Sequence, residues 1–223
     1  MYEYFLWCVL LGVVWVVLYA ARPDLRQKLL WSSLVAMPFG FIEMFFYPNY
    51  WHPQTLFGIA ERYNVAIESF LVMFFLGGLA AGAYESFFRK HVPVVRRQCH
   101  PFCRCLPLIT AITALMFFTK QFPEWPAIAH AISSLLIASA FAIVLFPELR
   151  RHILTGGIAF AVVYWASLAL MDLLTQGWIA RTWNPAVVSG FTLLHVPLEE
   201  ILFGFSFGAF WTSMYEEACA RLR

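Results

Sequence analysis

Seven apolar runs divide this chain, at about 4–20, 29–47, 64–88, 106–122, 127–146, 153–175 and 195–215. A helix needs roughly 17–25 such residues to cross a bilayer, and runs of that length are too long for strands. Lipid offers no partner to a backbone N–H or C=O, so a spanning segment satisfies its own. The expected architecture is therefore all-α and membrane-integral, with seven transmembrane helices. Composition agrees, at 61% hydrophobic and 13% charged residues with a mean hydropathy of +0.71.

The basic residues give an independent reading of topology. With seven spans, one side receives Arg22, Arg26, Lys28, Arg89, Lys90, Arg96, Arg97, Arg104, Arg150, Arg151, Arg221 and Arg223. The other side receives Arg62, Lys120 and Arg181. Because positive charge collects on cytoplasmic loops, the N-terminus is expected outside and the C-terminus in the cytoplasm, across the plasma (cytoplasmic) membrane. The first run has Glu3 rather than a basic flank before it, which favours an uncleaved first helix over a signal peptide. The net charge of +2 is accounted for by cytoplasmic loops and implies no nucleic-acid partner.

An internal repeat runs through the chain. Trp51, Pro53 and Gly58 match Trp183, Pro185 and Gly190 at an offset of 132. Val65, Glu68, Tyr84 and Glu85 match Val196, Glu199, Tyr215 and Glu216 at 131. Repeats of this kind set the reading of the whole fold. Residues 1–90 form the first repeat with three helices, 91–124 a basic loop and a linking helix, and 125–223 the second repeat. The single extra helix makes the two triplets run in the same direction, as parallel repeats.

That orientation gathers acids. Glu43 and Asp172 sit near the outer ends of the second and sixth runs, and Glu68, Glu199 and Glu200 open the third and seventh. All are expected in one layer toward the outer face. Ionisable groups in apolar segments are expensive and mark function by default, and a neutral carboxylic acid in hydrocarbon is a candidate proton donor. Glu85, Glu216 and Glu217, at the inner ends, are expected to be solvated and paired with Arg89 or Arg221. The long connections 48–63 and 176–194 carry Trp51, Trp183, Asn184 and Pro185, and read either as an interfacial aromatic belt or as lids over the acids.

Aromatic rings are abundant, with Phe203, Phe205, Phe207, Phe210 and Trp211 following the paired acids. Such stripes serve core packing, yet π faces also stabilise cations. An acid able to protonate an alkene beside such rings suits terpenoid chemistry. Cys99, His100, Cys103 and Cys105 crowd the basic loop, but their spacing fits no common zinc pattern, so no metal is expected. No Ser–His–Asp order, phosphate-binding glycine loop or Asp-rich diphosphate motif is present.

The stretch Pro197-Leu198-Glu199-Glu200 followed by Ile201-Leu202-Phe203, with Trp183-Asn184-Pro185 and Gly190 upstream, resembles the lycopene cyclase domain family. The family is of the membrane-integral type, found as two small subunits or as a fusion of two domains, and the fused layout is similar to this chain. The resemblance implies that Glu199 and Glu200 take the acidic-motif positions of the second domain and Glu68 the first of those positions in the first domain. Asp172 and Glu43 correspond to the acid preceding the Trp in each. Ala66 stands where the family has proline, Ser69 where it has a second acid, and Glu43 where aspartate is usual. Catalysis is thus expected from Glu199, Glu200, Glu68, Asp172 and Glu43, and substrate binding from Trp183, Trp51, Phe203, His195 and Asn184.

The function the resemblance implies is carotenoid biosynthesis by a lycopene β-cyclase-like isomerase that forms rings from linear end groups without a cofactor. The expected partners are a linear carotenoid, the bilayer and carotenoid-pathway enzymes. Two other readings fit parallel repeats and intramembrane acids: a small proton-coupled transporter, and a non-catalytic isoprenoid-binding paralogue. The transporter reading lacks a Gly/Pro-broken helix at the midplane.

Overall fold

The computed structural model describes residues 2–88 and 101–219. It is mainly helical, with long loops before α5 and α10 and, among the described residues, one hairpin of two two-residue strands. Helix α1 is Glu3–Ala21; α2, Arg26–Ala36; α3, Glu43–Phe46; α4, Ala60–Tyr63; and α5, Ile67–Phe88. Then come α6, Pro101–Gln121; α7, Ala127–Leu145; α8, Arg150–Leu174; and α9, Trp178–Thr182. Strands β1 (Thr192–Leu193) and β2 (Val196–Pro197) lead into α10, Leu198–Cys219.

Five helical stretches are long and apolar enough to cross a membrane: Glu3–Ala21, Pro23–Phe46, Ile67–Phe88, Ala127–Leu145 and Pro147–Leu174. Helix α6 has a shorter apolar part, Cys105–Gln121. Helix α10 has the length, but it carries acids at both ends, Glu199 and Glu200 at one and Glu216 and Glu217 at the other.

Several expectations change at the level of single elements. The second run is not one α-helix: a 3-10 segment, Met37–Ile42, interrupts it, with Pro38 at its start. Proline has no N–H to donate and its ring clashes with the preceding turn, so the interruption falls where the sequence carries Pro38 and Gly40. Pro107, by contrast, lies inside α6 rather than opening it. The seventh run starts with the hairpin, and its helix begins only at Leu198. The loop residues 89–100, with Cys99 and His100, lie outside the described residues.

Contacts gather the chain into two compact units, Met1–Leu79 with Val162–Ile201, and Ala80–Ala161 with Leu202–Arg223. Each takes chain from both halves of the sequence. In the first unit, α1 buries Tyr4, Trp7, Cys8, Leu11 and Trp15, a stripe at i, i+3, i+4, i+7 and i+11 that follows the helical period. Trp7 Nε1 donates to Ser167 Oγ at 3.1 Å and Trp15 Nε1 to Ser33 Oγ at 3.0 Å. Gly77 of α5 is where α2 comes closest, since a Cβ there would strike Ala36 and the Ser32 carbonyl. Small residues at such crossings substitute close packing for the hydrophobic drive that lipid removes.

The second unit is centred on Ala142, Phe146, Leu149, Ile153 and Ala209. Phe203, Phe207 and Trp211 stack at i, i+4 and i+8 along α10, with centroids 5.6 and 5.7 Å apart. Glu85 and Glu217 are buried at 4% and 1% exposure, not solvated as expected. Within this unit, α8 and α10 cover α5 at that level. Tyr84 meets the His152 ring edge-on at 4.4 Å, and Thr212 Oγ1 donates to the Ala80 carbonyl at 3.1 Å.

Candidate active site

All five acids singled out from the sequence lie in the first unit. Glu68 and Glu199 occupy the second position of α5 and of α10, where the positive end of the helix dipole favours an acidic side chain. Each uses one oxygen to hold the long loop that precedes its helix. Leu56 N–H donates to Glu68 Oε1 at 2.6 Å, and Ser189 N–H donates to Glu199 Oε1 at 2.5 Å. The second oxygen of each is buried with no hydrogen-bond partner among the described residues.

Glu200 is held differently. It is buried at 3% exposure and accepts from Tyr50 Oη at 2.7 Å, Tyr164 Oη at 2.6 Å and Trp183 Nε1 at 2.9 Å. All three groups donate, so the cage supplies the acid with three hydrogen bonds. Burial, and then the Glu200 carboxyl, push the Tyr50 phenol above its ordinary range, which keeps it a donor. Glu43 is buried at 9% exposure among Trp51, Ser69 and Tyr4, and its Oε1 lacks a partner among the described residues. Asp172 has both oxygens engaged: Ile179 N–H donates to Oδ1 at 2.8 Å and His195 Nδ1 lies 3.0 Å from Oδ2.

The two long loops meet at residues that match in the repeat. Trp51 and Trp183 form an antiparallel bridge. His52 N–H donates to the Thr182 carbonyl and Asn184 N–H to the Tyr50 carbonyl, both at 2.9 Å. Their rings lie 5.2 Å apart. From this pair a closed circuit of rings runs through Tyr4, Trp7 and Trp178, with steps of 4.8 to 6.3 Å. Glu43 lies beside the Trp51 end and Glu200 beside the Trp183 end. Asn184 braces the junction: Nδ2 donates to the Asn49 carbonyl at 2.9 Å and Oδ1 accepts from Ala186 N–H at 3.0 Å.

The structure thus brings Glu43, Glu200, Trp51 and Trp183 into one aromatic cluster. It places His195 on Asp172, and Phe203 in the stack of the second unit. Tyr4, Trp7 and Tyr164 were not singled out from the sequence. The buried stripe of α1 was visible there as helical spacing, but nothing in it marked those rings as neighbours of acids far along the chain.

Residues 126–218 match the family model described as Lycopene cyclase. Comparison with curated proteins and with solved structures finds no match.

Proposed function

Taking residues 126–218 as a lycopene cyclase domain, we propose that this chain forms rings on the end groups of a linear carotenoid within the membrane. The domain supports carotenoid biosynthesis in general. The β-ring outcome and the residue roles are this reading's own. One observation carries it: Glu68 and Glu199 each anchor a loop by one oxygen while the other is buried with no hydrogen-bond partner among the described residues. A carboxylic acid so placed can give its proton to the terminal double bond. An internal double bond then attacks the tertiary cation, and loss of a ring proton restores neutrality. No hydride or oxygen is exchanged, so product and substrate have the same mass.

The remaining residues fit this scheme as supports. Trp51, Trp183 and their ring neighbours offer π faces to positive charge without acting as nucleophiles. Glu200, caged by three donors, steadies the junction of the loops beside Glu199. Burial keeps water from trapping the cation as an alcohol. Helix α10 with its intact Pro197–Glu200 motif is the main donor element, and the first repeat contributes Glu68. Five helical stretches long and apolar enough to cross a membrane support integration in the bilayer, and this reading takes the N-terminus as outside from the distribution of basic residues.

Purified protein in lipid, given a linear carotene in heavy water, tests the reading. A ringed isomer carrying deuterium in the new ring is expected, because a carboxyl donor equilibrates with solvent between turnovers. A ringed product without deuterium removes the acid mechanism, and unmodified carotene under all conditions removes the cyclase.

A further inference from the structure

A reaction that begins with a proton gift must end by taking one back. The hairpin before α10 offers another group. Leu193 pairs with Val196, so Leu194 and His195 form its two-residue turn. Both have positive φ, 49° and 65°. That turn type favours Asn-Gly, and bulky side chains are disfavoured in it. Backbone held in such a state points to a functional demand on the side chain.

The demand is visible in what His195 touches. Its Nδ1 lies 3.0 Å from Asp172 Oδ2, while Ile179 N–H fixes the other Asp172 oxygen at 2.8 Å. Asp172 is buried, whereas the His195 side chain is 84% exposed. With Nδ1 carrying the hydrogen, Nε2 keeps a lone pair turned away from Asp172. The pair borders a groove of about 660 Å³ whose other walls include Ala169, Leu170, Leu173 and Leu194. An apolar groove with a single oriented base is suited to a hydrocarbon that must lose a proton.

We propose that His195 Nε2 is the base that removes the ring proton, that Asp172 is its positioning residue, and that the groove receives the hydrocarbon end group. This rests on the cyclase reading above. In the step, the C–H bond next to the cationic carbon breaks and its electron pair becomes the ring double bond. The proton goes to Nε2, the imidazolium faces the Asp172 carboxylate, and the proton then returns to solvent. One proton enters per ring and one leaves, so the cycle balances.

The base also chooses which neighbouring C–H is broken, and therefore where the ring double bond lies. His195→Gly and His195→Asn suit the positive-φ turn and should fold. In lipid with a linear carotene, each should turn over about a hundredfold more slowly, the low end of what a general base contributes. Their products should spread over ring double-bond isomers and water-trapped alcohols, where the native protein gives one isomer. Imidazole in the medium should restore that isomer in His195→Gly. Asp172→Asn should show the same spread with a smaller loss of rate. Slower turnover with an unchanged isomer pattern would mean a structural role only and would overturn the proposal. Native rate and isomer in His195→Asn would also overturn it while leaving the cyclase standing. A native protein that forms no ring takes down both.

Discussion

Pro197 and Ala66 differ by one N–H, and that difference reorganises the acid positions beside them. Each is the residue before the first turn of a helix, α10 or α5. Ala66 has an amide to satisfy, and Ser69 Oγ accepts from it at 3.3 Å, in the manner of a capping box. Pro197 has no amide, so the side chain three residues on is released. Glu200 turns instead to Tyr50, Tyr164 and Trp183. Ala66 and Ser69, which stand where the second half has Pro197 and Glu200, are thus coupled through one hydrogen bond. They leave Glu68 and Glu199 alike. Glutamine at either keeps the loop hydrogen bond and removes the proton. Glu199→Gln is expected to lower ring formation by about a hundredfold or more, the range of a lost general acid, measured as pigment formed in lipid. Glu68→Gln is expected to cost less, and equal losses would show that both halves donate. Tyr50→Phe strips one donor from a buried acid and should lower stability by about 1–3 kcal/mol, read as the unfolding midpoint in detergent. An unchanged midpoint would show that the cage does not hold the loops.

Among the elements, α5 is the one on which close approach is built. Gly77 has no room for a Cβ because the Ser32 backbone and Ala36 of α2 are already there. Gly157, on α8 in the second unit, similarly meets the Phe205 backbone and Ala209 of α10. Gly77→Leu must push α2 away. The expected cost is about 1–3 kcal/mol for overpacking, seen as a lower melting temperature in detergent, and a stable Leu variant would show that α2 yields freely. The 3-10 segment Met37–Ile42 also packs on α5. Gly40 presses against Phe70 of α5, so the 3-10 segment that Pro38 begins is also a packing surface. That pressure comes from a neighbouring helix, and the apolar pattern of residues 29–47 contains no trace of it.

For the molecule as a whole, the division of basic residues yields a test that needs no activity. Reporters fused at Arg22, Pro53, Arg97, Pro123, Arg151, Asn184 and Arg223 should read in, out, in, out, in, out, in. Opposite sides for Pro53 and Asn184 would sink the parallel repeat and the single acid layer together. The bridge between Trp51 and Trp183 motivates this pairing, because two loops joined by hydrogen bonds must share a side. Hydropathy marked the long apolar helices, five stretches of which are long and apolar enough to cross a membrane, because lipid punishes any unpaired backbone group wherever it occurs. The 131-residue offset paired Glu68 with Glu199, and each stands second in its helix. Only the tertiary structure decided that Glu200 is caged while those two keep an orphan oxygen. It alone seated His195 on Asp172, and closed Tyr4, Trp7, Trp51, Trp178 and Trp183 into one circuit. Hydrogen bonds such as Tyr50 to Glu200 span 150 residues, and their geometry depends on how helices cross, which local periodicity does not encode.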